Sequence, residues 1–260
     1  MWVPGQAILR VAVATVTFAA AGAALTIAPP ESASPAAAAV LDAQQTAERA
    51  RAAVRAGRFA EALPLLERLR QINPGDHVTW RDLAATYRHL NRPADEAQAW
   101  ERFLRISPAD DEACPAIGFA YERAGRIAEA ADALQRCITL LPEDAASRTA
   151  LAFNALRRND PQQALALAQA ARARAPDDGQ AFFAAGLALQ RLERFPDARL
   201  YLERAVALRD ADPDVHFALG RLDEQEHRPA DARREYERVL QLLPGHAEAR
   251  HRLDGLGGRR

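Results

Sequence analysis

Lysine is absent from this sequence, and all 34 of its basic side chains are arginine. A Schiff-base lysine and the lysine of a phosphate-binding loop are therefore excluded. Glycine-rich phosphate loops and the G-x-S-x-G elbow are missing as well. The six histidines, at positions 77, 89, 216, 227, 246 and 251, are scattered over turns and helix faces with no H-E-x-x-H or other ligand spacing. No metal, cofactor or catalytic constellation is expected. A net charge of −1, with arginines interleaved among acids, argues against a nucleic-acid partner. Aromatic residues make up 6% of the chain against 49% for all hydrophobic types, alanine supplying much of the difference. Helices stacked in close contact require that kind of composition.

What is present is periodic. The stretch "HVTWRDLAATYRHL", residues 77–90, places Trp80, Leu83, Ala84 and Tyr87 on one side of a helix. Ala84, set between two aromatics, marks a site where a second helix comes close. Prolines at 74, 108, 142, 176 and 244 are separated by 34, 34, 34 and 68 residues, with Asp210 standing where the missing one would be. In that frame six units of 34 residues begin at Ala43, His77, Asp111, Ala145, Gly179 and Pro213. Each is preceded by an aspartate (Asp42, Asp76, Asp110, Asp144, Asp178, Asp212) whose carboxylate suits a helix N-cap. Position 15 of the units holds Gly57, Asn91, Gly125, Asn159, Glu193 and His227, the first four suited to the left-handed conformation that closes a helix. Pro93, Pro161 and Pro229 stand two residues later, in the first turn of a second helix.

Each unit thus reads as helix A, a tight turn, helix B and a second turn. A large residue at position 4, Leu at 7, Gly or Ala at 8, Tyr at 11, Gly at 15, Ala at 20, an aromatic or Leu at 24 and Pro at 32 resembles the tetratricopeptide repeat pattern. Unit three carries it as Ile117, Gly118, Tyr121, Gly125, Ala130, Leu134 and Pro142. The resemblance spans residues 43–246 and implies a right-handed all-α solenoid of six repeats, 43–76, 77–110, 111–144, 145–178, 179–212 and 213–246. Glu96 departs from the small residue of position 20, and Asp210 from the proline. Unit one has a thin helix A with Ala50 and Ala53, and unit four has Ala168 where its neighbours place Leu134 or Leu202. Residues 247–260 read as a capping helix and tail.

The N-terminus is different in character. Val11 to Ala28 runs 18 residues without a charge, after a decapeptide with one positive side chain. Residues 1–28 resemble a signal peptide or single-span anchor, and 29–42 a flexible linker with small-residue cleavage sites. No cysteine lies nearby, which rules out a bacterial lipoprotein anchor. The repeats are therefore expected outside the cytoplasm, in the periplasm or anchored in the membrane facing it. Cys114 and Cys137, at positions 4 and 27 of unit three, face each other across an antiparallel helix pair. A disulfide and a pair of buried thiols are both open, and export favours the bridge.

The resemblance further implies that helix A lines a concave surface, with positions 2, 5, 9 and 12 turned into it. The Lys and Asn clamp that the family uses for chaperone C-termini is missing. In its place stand Arg51, Arg81 and Arg88 at the N-terminal end, with Phe119, Phe153, Leu156, Phe183, Leu187, Phe217 and Arg221 beyond. Such a groove, cationic first and apolar after, would take a protein or peptide partner of acidic and apolar character, extended or helical. The same phenylalanines could instead be tucked between adjacent A helices as core. The expected function is a non-catalytic scaffold in the cell envelope. A cytosolic adaptor is the alternative, and an enzyme with a dispersed site has no motif behind it.

Overall fold

The computed structural model describes residues 35–108 and 110–257. Among them are thirteen α-helices and no strand: α1 (Pro35–Arg55), α2 (Phe59–Ile72), α3 (His77–His89), α4 (Pro93–Ile106), α5 (Ala113–Arg123), α6 (Ile127–Leu140), α7 (Ala145–Arg157), α8 (Pro161–Arg172), α9 (Gly179–Arg191), α10 (Phe195–Leu208), α11 (Pro213–Gln225), α12 (Pro229–Leu242) and α13 (Ala247–Gly257). The chain divides into two units, Met1–Val40 and Leu41–Arg260, the second holding the helix pairs. The apolar segment 11–28 lies outside the described residues. Among the described residues no helix is long and apolar enough to cross a membrane.

Helix boundaries follow the start and stop chemistry. Asp76, Asp144, Asp178 and Asp212 cap α3, α7, α9 and α11, their carboxylates accepting from Val78 N (3.2 Å), Ala146 N (2.9 Å), Gln180 N (2.9 Å) and Asp214 N (3.0 Å). Two boundaries differ from expectation. Helix α5 starts at Ala113, where the repeat frame puts Asp111, because Pro115 lacks an N–H and fits a helix only in its first turn. Asp110 still accepts from Ala113 N at 2.8 Å. Helix α1 starts at Pro35, so residues 35–42 of the expected flexible linker are helical. Proline suits a first turn and the alanines after it have the highest helix propensity. Asp42 therefore lies inside a helix instead of capping one, and pairs with Arg68.

All six position-15 residues have positive φ, from 54° at Asn91 to 74° at Gly125. Glu193 (57°) and His227 (58°) are included, although neither residue type favours the left-handed region. The turn is fixed by its neighbours: in each of these two, the following N–H (Arg194, Arg228) reaches back to a carbonyl of the preceding helix at 2.9 and 2.8 Å. Within each pair, helices A and B meet where position 8 faces position 24. A β-carbon on Gly118 would come within 2.7 Å of Leu134, one on Gly186 within 2.7 Å of Leu202, and one on Gly220 within 2.8 Å of Tyr236. Unit four uses small residues on both sides, Ala152 and Ala168, and both are fully buried.

Charged side chains join consecutive pairs. Glu96, the departure at position 20, is 1% exposed and receives Arg88 and Arg123, each at 2.8 Å. Asp223 stands at the aromatic position 11 of its unit, 1% exposed, and pairs with Arg199 of α10 at 2.6 Å. Tyr87 donates to Glu67; burial and the neighbouring Glu101 carboxylate push the Tyr121 hydroxyl up to about 12. Asp210, in place of the proline, accepts Arg238, and its carbonyl meets the buried His216 at 3.0 Å. The other ring nitrogen of His216 lies 2.7 Å from Glu235. That carboxylate raises the His216 pKa above its ordinary value against the opposing effect of burial.

Two outcomes follow from these contacts. Glu193→Gly and His227→Gly should each raise the urea unfolding free energy by about 1 kcal/mol, and Gly125→Ala should lower it by a similar amount; unchanged midpoints would mean that the left-handed backbone carries no strain here. His216 holds its proton to higher pH in the folded chain than in the unfolded one. Its contribution is therefore fully present below about pH 6.5 and fades as pH rises through the folded pKa. Stability measured against pH should lose that downward step in His216→Gln.

Candidate functional site

Helices α5, α7 and α9 are the A helices of three consecutive pairs, and they lie side by side. Their shared inner face borders an open cavity of about 980 Å³. From α5 it takes Pro115, Phe119, Glu122 and Arg123; from α7 Ala146, Thr149, Ala150, Phe153, Leu156 and Arg157; from α9 Gln180, Phe183, Leu187 and Arg191. Asp178, Asp212 and Asp214 complete it at the helix starts. In the repeat frame these are drawn from positions 2, 5, 6, 9, 12 and 13 of the units, which share one face of a helix, together with the capping Asp178 and Asp212.

The structure separates the residues singled out from the sequence. Phe119 is 50% exposed and Phe153 half-buried, so both present ring surface to the cavity. Phe183 is 9% exposed and its ring packs 5.7 Å from that of Phe153. Leu156 is buried and Leu187 partly so. Phe183 and Leu156 are therefore part of the core, while Phe119 and part of Phe153 face the cavity. Phe217 and Arg221 do not line the cavity. Among the described residues no further A helix packs beyond α11, and Phe217 instead lies against Tyr236 (5.7 Å) and His246 (4.8 Å), in the cluster that α13 closes with Ala249 and Leu253. Arg51 and Arg81 border a separate cavity of about 420 Å³ with Arg55 and Asp82. Burial raises the Asp82 carboxyl pKa although Arg81 and Arg51 lower it. Arg88 is held by Glu96. The cationic N-terminal end expected for the groove is thus not continuous with the apolar part.

The arginines that do border the cavity were missed. Arg123, Arg157 and Arg191 occupy position 13 of three consecutive units, at intervals of 34 residues, a signal present in the sequence one step beyond the positions considered. Each is anchored to the preceding unit: Arg123 to Glu96 and to Asn91 (3.2 Å), Arg157 to Glu122 (3.7 Å), and Arg191 to the Leu156 carbonyl. Glu122 is itself nearly buried and accepts from Asn154 Nδ2 at 2.9 Å. Burial raises its carboxyl pKa, with the Asn154 hydrogen bond and the Arg157 charge opposing. Asp178 and Asp212 are capping residues, Asp178 also accepting the Thr149 hydroxyl at 2.9 Å. Asp214 is exposed and enters no ion pair among the described residues.

Cys114 opens α5 and Cys137 lies near the end of α6. Their sulfurs are 2.16 Å apart and their α-carbons 5.7 Å. The pair ties the helix that carries Pro115 and Phe119 to its partner. Among the described residues no group of three His, Cys, Asp or Glu side chains is placed to hold a metal ion.

Tetratricopeptide repeat models match residues 43–85, 116–144 and 149–216, together more than half of the chain. Among curated proteins none matches it. Similar solved structures include the Cut9–Hcn1 hetero-tetramer of the APC/C, with a TM-score of 0.67 and 18% identity over 82% of this chain, which spans 42% of that one. The type IV pilus biogenesis factor PilW matches at 0.65 and 16% identity, over 81% of this chain and 98% of its own. The TPR protein TTC0263 of Thermus thermophilus matches at 0.59 and 22%, over 70% and 98%. At these identities the likeness is one of fold.

Glu96 offers a direct test of the arginine anchors. Removing both partners, in Arg88→Ala with Arg123→Ala, leaves a buried carboxylate unpaired and should cost about 3–5 kcal/mol. Adding Glu96→Ala restores the small residue of position 20 and should recover most of that loss. Denaturant unfolding of the double and triple variants checks it, and a triple variant no more stable than the double would contradict the pairing.

Proposed function

From the premise that the chain belongs to the tetratricopeptide repeat family, we propose that it is a non-catalytic scaffold whose partner, a peptide or a segment of a protein, seats in the α5–α7–α9 cavity. The observation that carries this reading is Phe119. A phenylalanine half in water, lining the same cavity as the packed pair Phe153 and Phe183, contributes little to folding and gives an apolar anchor point for a ligand.

We place the scaffold in the cell envelope. The uncharged segment 11–28 supports that placement, and so does a cysteine pair at bonding distance, since disulfides persist in oxidising compartments. The fold is also that of PilW and of PilF from Pseudomonas aeruginosa, the first a pilus biogenesis factor by description.

A phage-displayed peptide library selected on the wild-type protein tests the groove. The enriched peptides should lose at least tenfold in affinity on Phe119→Ser with Phe153→Ser, while the melting temperature falls little. Undiminished binding by a folded variant would remove the groove from consideration. For the compartment, alkylation of protein from unbroken cells followed by mass spectrometry should find Cys114 and Cys137 joined; two alkylated thiols would count against both bond and location, and in favour of a cytosolic adaptor.

A further inference from the structure

The cavity floor and its two edges differ in chemistry. The floor is apolar: Phe119, Phe153, Phe183 and Leu187, one or two from each helix. Backbone groups of α5, α7 and α9 are committed to their own helices, and the Thr149 hydroxyl is committed to Asp178. An extended peptide laid on this floor would bury main-chain N–H and C=O groups without partners, and no sheet edge exists among the described residues to receive them. A helix satisfies those groups within itself.

The edges are opposite in charge. Position 13 gives one row, Arg123, Arg157 and Arg191, at the C-terminal ends of the three A helices. Asp178, at the start of α9, and Asp212 and Asp214, at the start of α11, give the other. Glu96 offsets only one of the two arginines it binds, Glu122 offsets Arg157, and Arg191 is held by a carbonyl, so the first edge keeps a net positive charge. On the second, Arg209 pairs with Asp212 (2.8 Å), while Asp178 and Asp214 keep theirs. Along α9, which carries both, thirteen residues separate Asp178 from Arg191, roughly 20 Å at the helical rise, and a helix with its side chains is roughly 10–12 Å across. Three A helices side by side extend the floor to a length that roughly four turns would cover.

We infer that the occupant is an amphipathic α-helix of about 16 residues lying across α5, α7 and α9, its apolar face down, with acidic side chains along the flank facing Arg157 and Arg191 and basic ones along the flank facing Asp178 and Asp214. This deepens the proposed function and rests on it. Exchanging the two flanks gives a helix that fits equally well when turned end for end. The discriminating comparison is therefore between helices with mixed flanks and helices with flanks of one sign.

The probes are four fluorescein-labelled 16-residue peptides with one common row of leucines. Three are side-chain-stapled helices with one acidic and one basic flank, two acidic flanks, or two basic flanks. The fourth repeats the mixed sequence unstapled, with a central proline. Fluorescence anisotropy against the full chain should give the mixed helix at least tenfold tighter binding than either single-sign helix, a margin that shrinks at high salt. The proline peptide should bind at least tenfold more weakly than the mixed helix. Arg157→Glu with Arg191→Glu should shift the preference to the two-basic helix. Asp214→Arg, an exposed change on the other edge, should shift it toward the two-acidic one. Equal affinity of the three helices, or a proline peptide bound as tightly as the stapled one, overturns the inference and leaves the groove itself standing. Binding by none of the four overturns the groove reading with it.

Discussion

Close approach at position 8 is the constraint on which the rest of the structure depends. Gly118, Gly186 and Gly220 admit Leu134, Leu202 and Tyr236 so closely that a methyl group would displace them, and in unit four the same two positions hold the fully buried Ala152 and Ala168. With helices A and B held this near, neither can bury its remaining apolar stripe within the pair. Each pair must turn that stripe to the next, as α4 does to α5 and α6 to α7. Capping aspartates and left-handed turns then fix where each helix starts and stops, so successive A helices come out side by side. The inner wall formed by α5, α7 and α9 is a consequence of that repetition.

Hydrophobic stacking alone would leave the order of the pairs weakly specified, because alanine-rich faces resemble one another. Buried charge supplies the difference. Glu96 works only beside Arg123, Asp223 only beside Arg199, and His216 only between Glu235 and the Asp210 carbonyl. Moving any of these to another position in the stack would strand a desolvated charge or ring, at a cost larger than a surface ion pair returns. These contacts fall where the repeat pattern is broken: a carboxylate at position 20, an acid at position 11, an aspartate for the proline. Departures that looked like erosion of the pattern are the pairwise contacts that set the order.

Most of the fold was legible because it is written in local chemistry repeated at one interval. Asp76, Asp144, Asp178 and Asp212 cap helices as the spacing requires, and the glycine turns close them. Where a local signal competed with the repeat, the local signal won: Pro115 delayed α5, and the alanine run after Pro35 carried α1 back through the segment expected to be loose. Glu193 and His227 show the reverse, a turn imposed by its surroundings on residues that do not favour it. The site was less legible. Position numbers say which way a side chain points, but whether Phe183 is covered or Phe119 left bare depends on how near the next A helix lies. That distance comes from packing across units, which no single unit encodes. Phe217 lies away from this cavity for the same reason, because the element beside it is α13.

On the proposed reading of the cavity, the arginine edge links stability to recognition. Arg123, Arg157 and Arg191 reach back to Glu96, Glu122 and the Leu156 carbonyl, so each is oriented by the unit before its own. Side chains fixed in this way lose less freedom when a charged partner arrives than free surface arginines would. The same anchoring limits how much positive charge they offer, since two of the three already lie beside a carboxylate. Glu122 is the more telling of these, because burial raises its pKa while Asn154 and Arg157 oppose the rise. Its carboxylate, 3.7 Å from Arg157, holds that guanidinium against the preceding unit. The contacts that join one unit to the next therefore also set the charge that the cavity presents, and the wall and its edge are built by the same residues.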